Sequence, residues 1–305
     1  MSARSTELKS HQDSFSQIFF AFYELMKPRV MSLVIFTALV GLIIAPVKVS
    51  FINSALSLFF VAIGAGAAGA LNMWYESETD KLMSRTCLRP LPLGKLKQDH
   101  ALIFGLAMSF ISVIGLYQFS NFLSSLVLSV TIGFYFFVYT VWLKRKTPQN
   151  IVIGGAAGAF PPVIGWTIAT NNISIEPIIL FLIIFLWTPS HFWALSLYKN
   201  QDYKDAGIPM LPVVSGENFT KKNILIYTII LFPFTILPYV FSFAGILNLT
   251  TSIVGGGYYI FLAYKLFKEE DKKVYDKIAS KLFIFSIFYL FFIFSTILID
   301  NYLGI

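Results

Sequence analysis

Charge is what this sequence has least of. Only 13% of its 305 residues are Asp, Glu, Lys or Arg, about half the share of a soluble domain. There is one cysteine, Cys87, which excludes an intrachain disulfide and a thiolate-based metal site. No Ser–His–acid or Cys–His signature is present, so covalent nucleophilic catalysis has no candidate. The first 26 residues hold Arg4, Glu7, Lys9, Asp13 and Glu24. They contain no basic stretch leading into an apolar run with a cleavage site, and no Arg-rich, acid-free amphipathic stretch. Neither a secretory signal nor a mitochondrial presequence is expected there. The net charge of +7 is low for a nucleic-acid binder of this size, and no nucleic-acid partner is expected.

What fills the chain instead is apolar surface. Hydrophobic residues make up 56% and aromatic residues 17%, including 32 Phe and 15 Tyr. Such a chain cannot cover its own apolar surface in water and belongs in a bilayer. About 20 apolar residues cross the hydrocarbon core as a helix. Nine stretches qualify, at roughly 29–47, 52–73, 101–119, 122–143, 151–170, 177–198, 224–244, 249–266 and 281–300. With the N-terminus placed in the cytoplasm, all of the 23 Lys and Arg except Lys48 fall in inside segments or at inside helix ends. That bias sets the orientation. The expected protein is all-α and polytopic, with nine transmembrane helices. Residues 1–26 form a cytoplasmic arm, and residues 27–305 form a single transmembrane domain in the cytoplasmic (inner) membrane of a bacterium.

Small residues crowd 64–70 and 154–159 and predict helix-packing faces at central positions. Pro161 and Pro162 predict a kink in the fifth helix, and Pro189 one in the sixth. The run from Lys265 to Lys281 mixes both signs and reads as a solvated loop, while Lys221 and Lys222 read as interface anchors.

Three clusters carry chemistry. Asn72, Glu76 and Asp80 are spaced four apart, so on a helix they stack on one face. Such oxygen donors suit Mg²⁺, which bridges carboxylates to substrate phosphates. A solvated helix end reads the same by spacing alone. A basic, proline-punctuated loop follows directly, with Arg85 and Arg89, and Arg offers a planar fork to phosphate oxygens. The second cluster closes the sixth helix, with Lys199, Asp202 and Asp205 at the same level as Asp80. A second acid group there is the partner that a two-cation diphosphate site requires. His191 lies about three turns inside that helix, where ionisable groups are rare and usually line a cavity. The third cluster is Lys144, Arg145 and Lys146, with Asn150 beyond. Lys144 is a candidate for a terminal phosphate, and topology alone also explains it.

Asn72, Glu76 and Asp80, continued by Met83-Ser84-Arg85-Thr86 and by Arg89-Pro90-Leu91-Pro92-Leu93-Gly94, resemble the first motif of the UbiA-type intramembrane prenyltransferases. Other stretches look like the haem-farnesylating branch of that family. These are Lys27-Pro28-Arg29-Val30, Asn150-Ile151-Val152-Ile153-Gly154-Gly155 with Pro161-Pro162 and Gly165-Trp166, His191 through Leu195, and Asp202-Tyr203 through Pro212. The resemblance runs from about residue 20 to 300. It implies a nine-helix bundle around a central cavity and two Mg²⁺-dependent acidic motifs facing the cytoplasm. It implies farnesyl diphosphate and haem B as substrates and haem O as product, for terminal oxidases. It adds haem A synthase or oxidase assembly proteins as candidate partners.

By that resemblance Asn72, Glu76, Asp80 and Asp202 are the catalytic and metal-binding set, with Asp205 a further ligand. Arg85, Arg89, Lys144 and Lys199 hold diphosphate, and His191 and Trp193 are candidate haem or substrate contacts. Glu76 stands where most relatives have Asp. Tyr198 stands four before Asp202, where quinone-type relatives carry a second Asp, and this leaves the ligands of a second metal open. Three rivals remain. One is the same fold acting on an aromatic quinone precursor. Another is a transporter, against which the acids at one face and the lack of an inverted repeat both speak. The last is a haem-handling assembly factor without catalysis.

Overall fold

The computed structural model describes residues 16–304, without the side chain of Arg29. The first part of the expected N-terminal arm therefore lies outside the described residues. All regular structure among the described residues is helical. A short helix α1 (Ser16–Leu25) precedes α2 (Pro28–Ile43), α3 (Phe51–Asp80), α4 (Gln98–Phe119) and α5 (Phe122–Gly133). The last continues as a π-helical segment, Phe134–Leu143. Then come α6 (Asn150–Ala159), α7 (Pro161–Thr170), α8 (Ile175–Tyr198), α9 (Asn200–Asp205), α10 (Leu211–Ser215), α11 (Glu217–Val240), α12 (Ile246–Lys268) and α13 (Lys272–Leu303).

Among the described residues, eight spans are long and apolar enough to cross a membrane. A ninth results when α1 and α2, which meet at a bend, are taken together. The expected count of nine holds in that form, because α2 alone has 16 residues. The protein is an all-helical polytopic membrane protein. Apolar side chains such as Phe110, Phe137 and Val254 are more than 60% exposed and face the lipid, where water would penalise them.

The fifth predicted helix breaks at Phe160, ahead of the two prolines, into α6 and α7. Pro162 has no N–H to give the ladder, and Pro161 opens the new helix as its first residue. Pro189, by contrast, lies inside an uninterrupted α8. Two readings need correction. Residues 265–281 are not a loop: α12 runs to Lys268 and α13 starts at Lys272. Lys221 is not an anchor reaching for lipid headgroups. It is buried, donates to the Glu269 carbonyl at 2.7 Å and sits 4.6 Å from the centre of the Tyr275 ring. The end of α12 leaves carbonyls without helical partners, and a cation there satisfies one of them.

The middle of the bundle is α6–α7 and α8, whose apolar windows are 72% and 67% buried, against 22% for α4. Helix α2 reaches that middle because two glycines remove side chains from its contact with α7. A Cβ on Gly165 would lie 1.9 Å from the Ala38 carbonyl oxygen, and one on Gly41 would lie 2.1 Å from that of Pro162. Backbone meets backbone at both points, and neither can yield. At the opposite end from most lysines, Asp300 of α13 is buried and accepts from the backbone N–H groups of Gly245 and Asn248 at 2.8 and 2.9 Å. It caps α12 from another helix.

Gly165→Ala is expected to force α2 from α7 and to cost roughly 1–3 kcal/mol, the usual range for overpacking. Thermal unfolding of the purified protein checks it. Gly257→Ala is the control, since a Cβ there meets nothing within 4 Å; an equal loss in both would refute the contact.

Candidate functional site

Helix α3 has 30 residues, about 45 Å of length, and so outruns a hydrocarbon core of about 30 Å. Its last two turns, which carry the acids, emerge on the basic face. Asn72, Glu76 and Asp80 are all nearly fully buried and stack as their spacing predicts. Asn72 Nδ2 donates to Glu76 Oε2 at 3.0 Å and to Thr140 Oγ1 at 3.1 Å.

Buried carboxylates demand countercharge; two parts of the chain supply it, and a third reaches the neighbouring Asn72 amide. Lys144 pairs with Glu76. Arg89 Nη1 meets Asp80 Oδ2 at 2.6 Å. Lys27 Nζ donates to Asn72 Oδ1 at 2.5 Å. Lys27 occupies the turn between α1 and α2 with a left-handed φ of 53°, a conformation seldom taken outside glycine and found at constrained sites.

Two local devices place these groups. The π-helical segment before Lys144 turns its amide to the Tyr139 carbonyl, five residues back, and Thr140 Oγ1 donates to the Tyr135 carbonyl at 2.9 Å. The wider turn brings both Thr140 and Lys144 onto α3. Single π turns inside helices recur at functional sites. In the loop after α3, Thr86 Oγ1 donates to the Asp80 carbonyl at 2.9 Å and folds the chain back so that Arg89 covers Asp80.

The second motif is split. Helix α8 ends at Tyr198 and restarts as α9 after Lys199. Asp202 reaches the first motif's loop: Ser84 Oγ donates to its Oδ2 at 2.5 Å. Met83, Tyr203, Ile208 and Met210 pack together beneath this contact. Asp205 does not join. It is exposed at the last position of α9 and accepts from Gln201 Nε2 at 2.6 Å. Arg85 is exposed and Lys199 half-buried, and neither has a partner among the described residues.

The expected five-member metal set is thus not assembled. Among the described residues no three His, Cys, Asp or Glu side chains converge as ligands, since each acid of the first motif is held by a cation or an amide. The oxygens of Asn72, Glu76 and Asp80 still suit a hard divalent ion by donor type and by shared helix face. Lys27, Arg145 and Ser84 escaped the reading of site residues. Arg145 Nη2 donates to Thr79 Oγ1 at 2.7 Å and its guanidinium lies 5.5 Å from the centre of the Tyr75 ring. The only sequence signal for Lys27 was the segment that it opens.

Deeper in α8, His191 lies against Trp187, Phe283 and Ser286. Trp193, two residues on, is on another side of the helix. It packs edge-on against Tyr227 of α11 with its indole nitrogen buried and unpartnered.

A helical membrane bundle whose one face holds buried acids ringed by cations is the arrangement of an intramembrane prenyltransferase. The chain belongs to the UbiA prenyltransferase family, whose model matches residues 34–295. It is similar to proteins described as protoheme IX farnesyltransferase. The one from Pelagibacter ubique (strain HTCC1062) is 58% identical over 95% of this chain and 94% of that protein. The one from Parvibaculum lavamentivorans is 50% identical over 93% and 89%. Among solved structures, a digeranylgeranylglyceryl phosphate synthase superposes with a TM-score of 0.76 at 19% identity, covering 92% of this chain and 99% of that one. A UbiA homolog from Archaeoglobus fulgidus bound to DMAPP and Mg²⁺ gives 0.65 at 18%, covering 90% and 98%. These two likenesses show the fold.

Lys144→Met leaves Glu76 buried without its cation and is expected to cost about 3 kcal/mol. Adding Glu76→Gln to it should recover most of that loss. The apparent melting temperatures of the ligand-free single and double variants decide it, and additive losses would count against the pair.

Proposed function

We propose that the chain transfers the farnesyl group of farnesyl diphosphate to a vinyl group of haem B, giving haem O, at the basic face turned to the cytoplasm of a bacterial inner membrane. The observation that carries this is the ring of Lys27, Arg89 and Lys144 around Asn72, Glu76 and Asp80. Two cations paired with buried acids, and a lysine on the Asn72 amide beside them, are three anion ligands already in place. The relatives described as protoheme IX farnesyltransferase, at 50–58% identity, support the choice of haem as acceptor.

Asn72, Glu76, Asp80 and Asp202 would hold Mg²⁺, which when bound neutralises diphosphate charge. In this reading Lys27, Arg85, Arg89, Lys144 and Lys199 take the diphosphate oxygens. Their preplaced charge stabilises the leaving group as the C1–O bond breaks and its electron pair departs with the diphosphate. Tyr135 and Tyr139, tilted against each other with ring centres 5.4 Å apart and Lys144 beside Tyr139, would offer ring faces to the allylic cation without a nucleophile that would trap it. The vinyl π-bond of haem B then attacks C1. Water adds to the new cation and loses a proton, leaving a hydroxyethylfarnesyl group. The side chains bind, orient and exclude water, and none forms a covalent bond to substrate.

Purified protein with Mg²⁺ should convert haem B and farnesyl diphosphate to a more apolar haem, separable by chromatography. A prenylated quinone precursor in its place would favour the rival acceptor. Asp80→Asn and Asp202→Asn should each lower turnover about 100-fold, the scale of losing one electrostatic element. Near-normal turnover in both would sink the diphosphate-site reading. Asp205→Asn should change turnover by no more than about twofold, as for other exposed positions; a loss matching that of Asp202→Asn would return Asp205 to the site.

A further inference from the structure

One turn apart on α8, Trp187 and His191 hold the same residue of α13. The Trp187 indole N–H donates to the Ser286 carbonyl at 2.8 Å, and His191 Nδ1 meets Ser286 Oγ at 2.6 Å. The imidazole is also clamped through its faces. Trp187 lies 4.1 Å away between ring centres at 18°, and Phe283 lies 4.4 Å away at 21°. Two rings this near and this parallel to a third must lie on its opposite faces. The ring can neither flip nor tilt without breaking this packing.

The hydrogen bonds decide which nitrogen carries the hydrogen. Ser286 Oγ gives its own hydrogen to the Phe283 carbonyl at 2.6 Å. That carbonyl is also in reach of the imidazole, and a carbonyl only accepts. Nδ1 therefore donates to Ser286, and Nε2 is left with its lone pair. No described residue bonds to Nε2, and it is not sealed off as the indole nitrogen of Trp193 is. An imidazole fixed in its plane, with one nitrogen anchored and the other bare, is how metal-bound histidines are held. His191 lies seven residues inside the end of α8 at Tyr198, about 10 Å along the helix, within reach of an extended prenyl chain entering from that end.

We propose that His191 Nε2 is an axial ligand of the haem iron and that Ser286 is the positioning residue that holds the imidazole in the required tautomer. This rests on the reading of haem B as acceptor. It adds what fixes the depth of the acceptor in the bundle: a bond to α8, braced by α13 through the Ser286 hydroxyl and the Phe283 ring, with Trp187 of α8 on the other face.

The chain has three histidines, His11, His100 and His191, so the full-length double variant His11→Gln/His100→Gln keeps only the one in question. Ferrous haem B is added to this variant, purified with natural or isotope-labelled histidine, and resonance Raman spectra are recorded. An iron–imidazole band that shifts with the label is expected. It should vanish in His191→Ala and return, without the label shift, when free imidazole is added. Ser286→Ala should weaken haem binding about 10–100-fold and move the band. Ser286→Thr, which supplies the same oxygen, should restore both, whereas a packing role alone would leave the band where it was. A haem complex with no label-sensitive band, in protein that still makes the farnesylated haem, overturns the iron ligation and leaves the farnesyl-transfer reading intact. If the wild-type chain forms no farnesylated haem, the functional reading fails instead.

Discussion

Two carboxylates buried on one face of α3 set the terms for everything around them. Glu76 and Asp80 lie at a helix end that the bundle covers, where an unpaired charge would cost several kcal/mol. Lys144 and Arg89 answer that demand, and Lys27 closes over Asn72 beside them. The three cations come from a turn before α2, a loop after α3 and the end of a π-helical segment. One buried polar face thus draws in three separate regions of the chain. The same groups that satisfy the acids are those that a diphosphate can recruit, so stability without substrate and binding of substrate draw on one set of charges.

The rest of the bundle serves to hold that face in register. Gly41 and Gly165 let α2 and α7 approach backbone to backbone, which fixes α2 and hence Lys27 at its start. Helices α6, α7 and α8 fill the middle, and α8 delivers Asp202 to Ser84 at one end and His191 to Ser286 lower down. At the far end Asp300 caps α12 from α13, and near the basic face Lys221 closes the other end of α12. Each of these is a buried polar group used to join helices, which is where such groups are affordable in a bilayer protein.

Much of the first motif was legible because helical spacing is a local property. Residues four apart share a face wherever the helix goes, so Asn72, Glu76 and Asp80 could be stacked on paper and are stacked in the fold. Spacing alone does not say what Asp205 meets. It shares α9 with Asp202, but it is exposed and pairs with Gln201, while Asp202 meets Ser84. Lys221 and the 265–281 stretch were misread as surface because charge density alone suggests solvent. The structure spends that charge on helix ends and on the pairing of Lys272 with Glu217.

Composition and hydropathy by themselves determined the bilayer environment, the helical class and the span count. The lysine distribution indicated an orientation, and residue order carried the family. These follow from the sequence because hydrophobic length and charge bias act on each segment separately. The tertiary structure decided which cation answers which acid, that Thr140 and Lys144 reach α3 through a π-helical segment, that Trp193 packs in the core, and that His191 meets Ser286. Most of those outcomes depend on groups far apart in sequence meeting in space, such as Lys27 with Asn72, 45 residues apart, and His191 with Ser286, 95 apart, and no local pattern in the chain encodes such meetings.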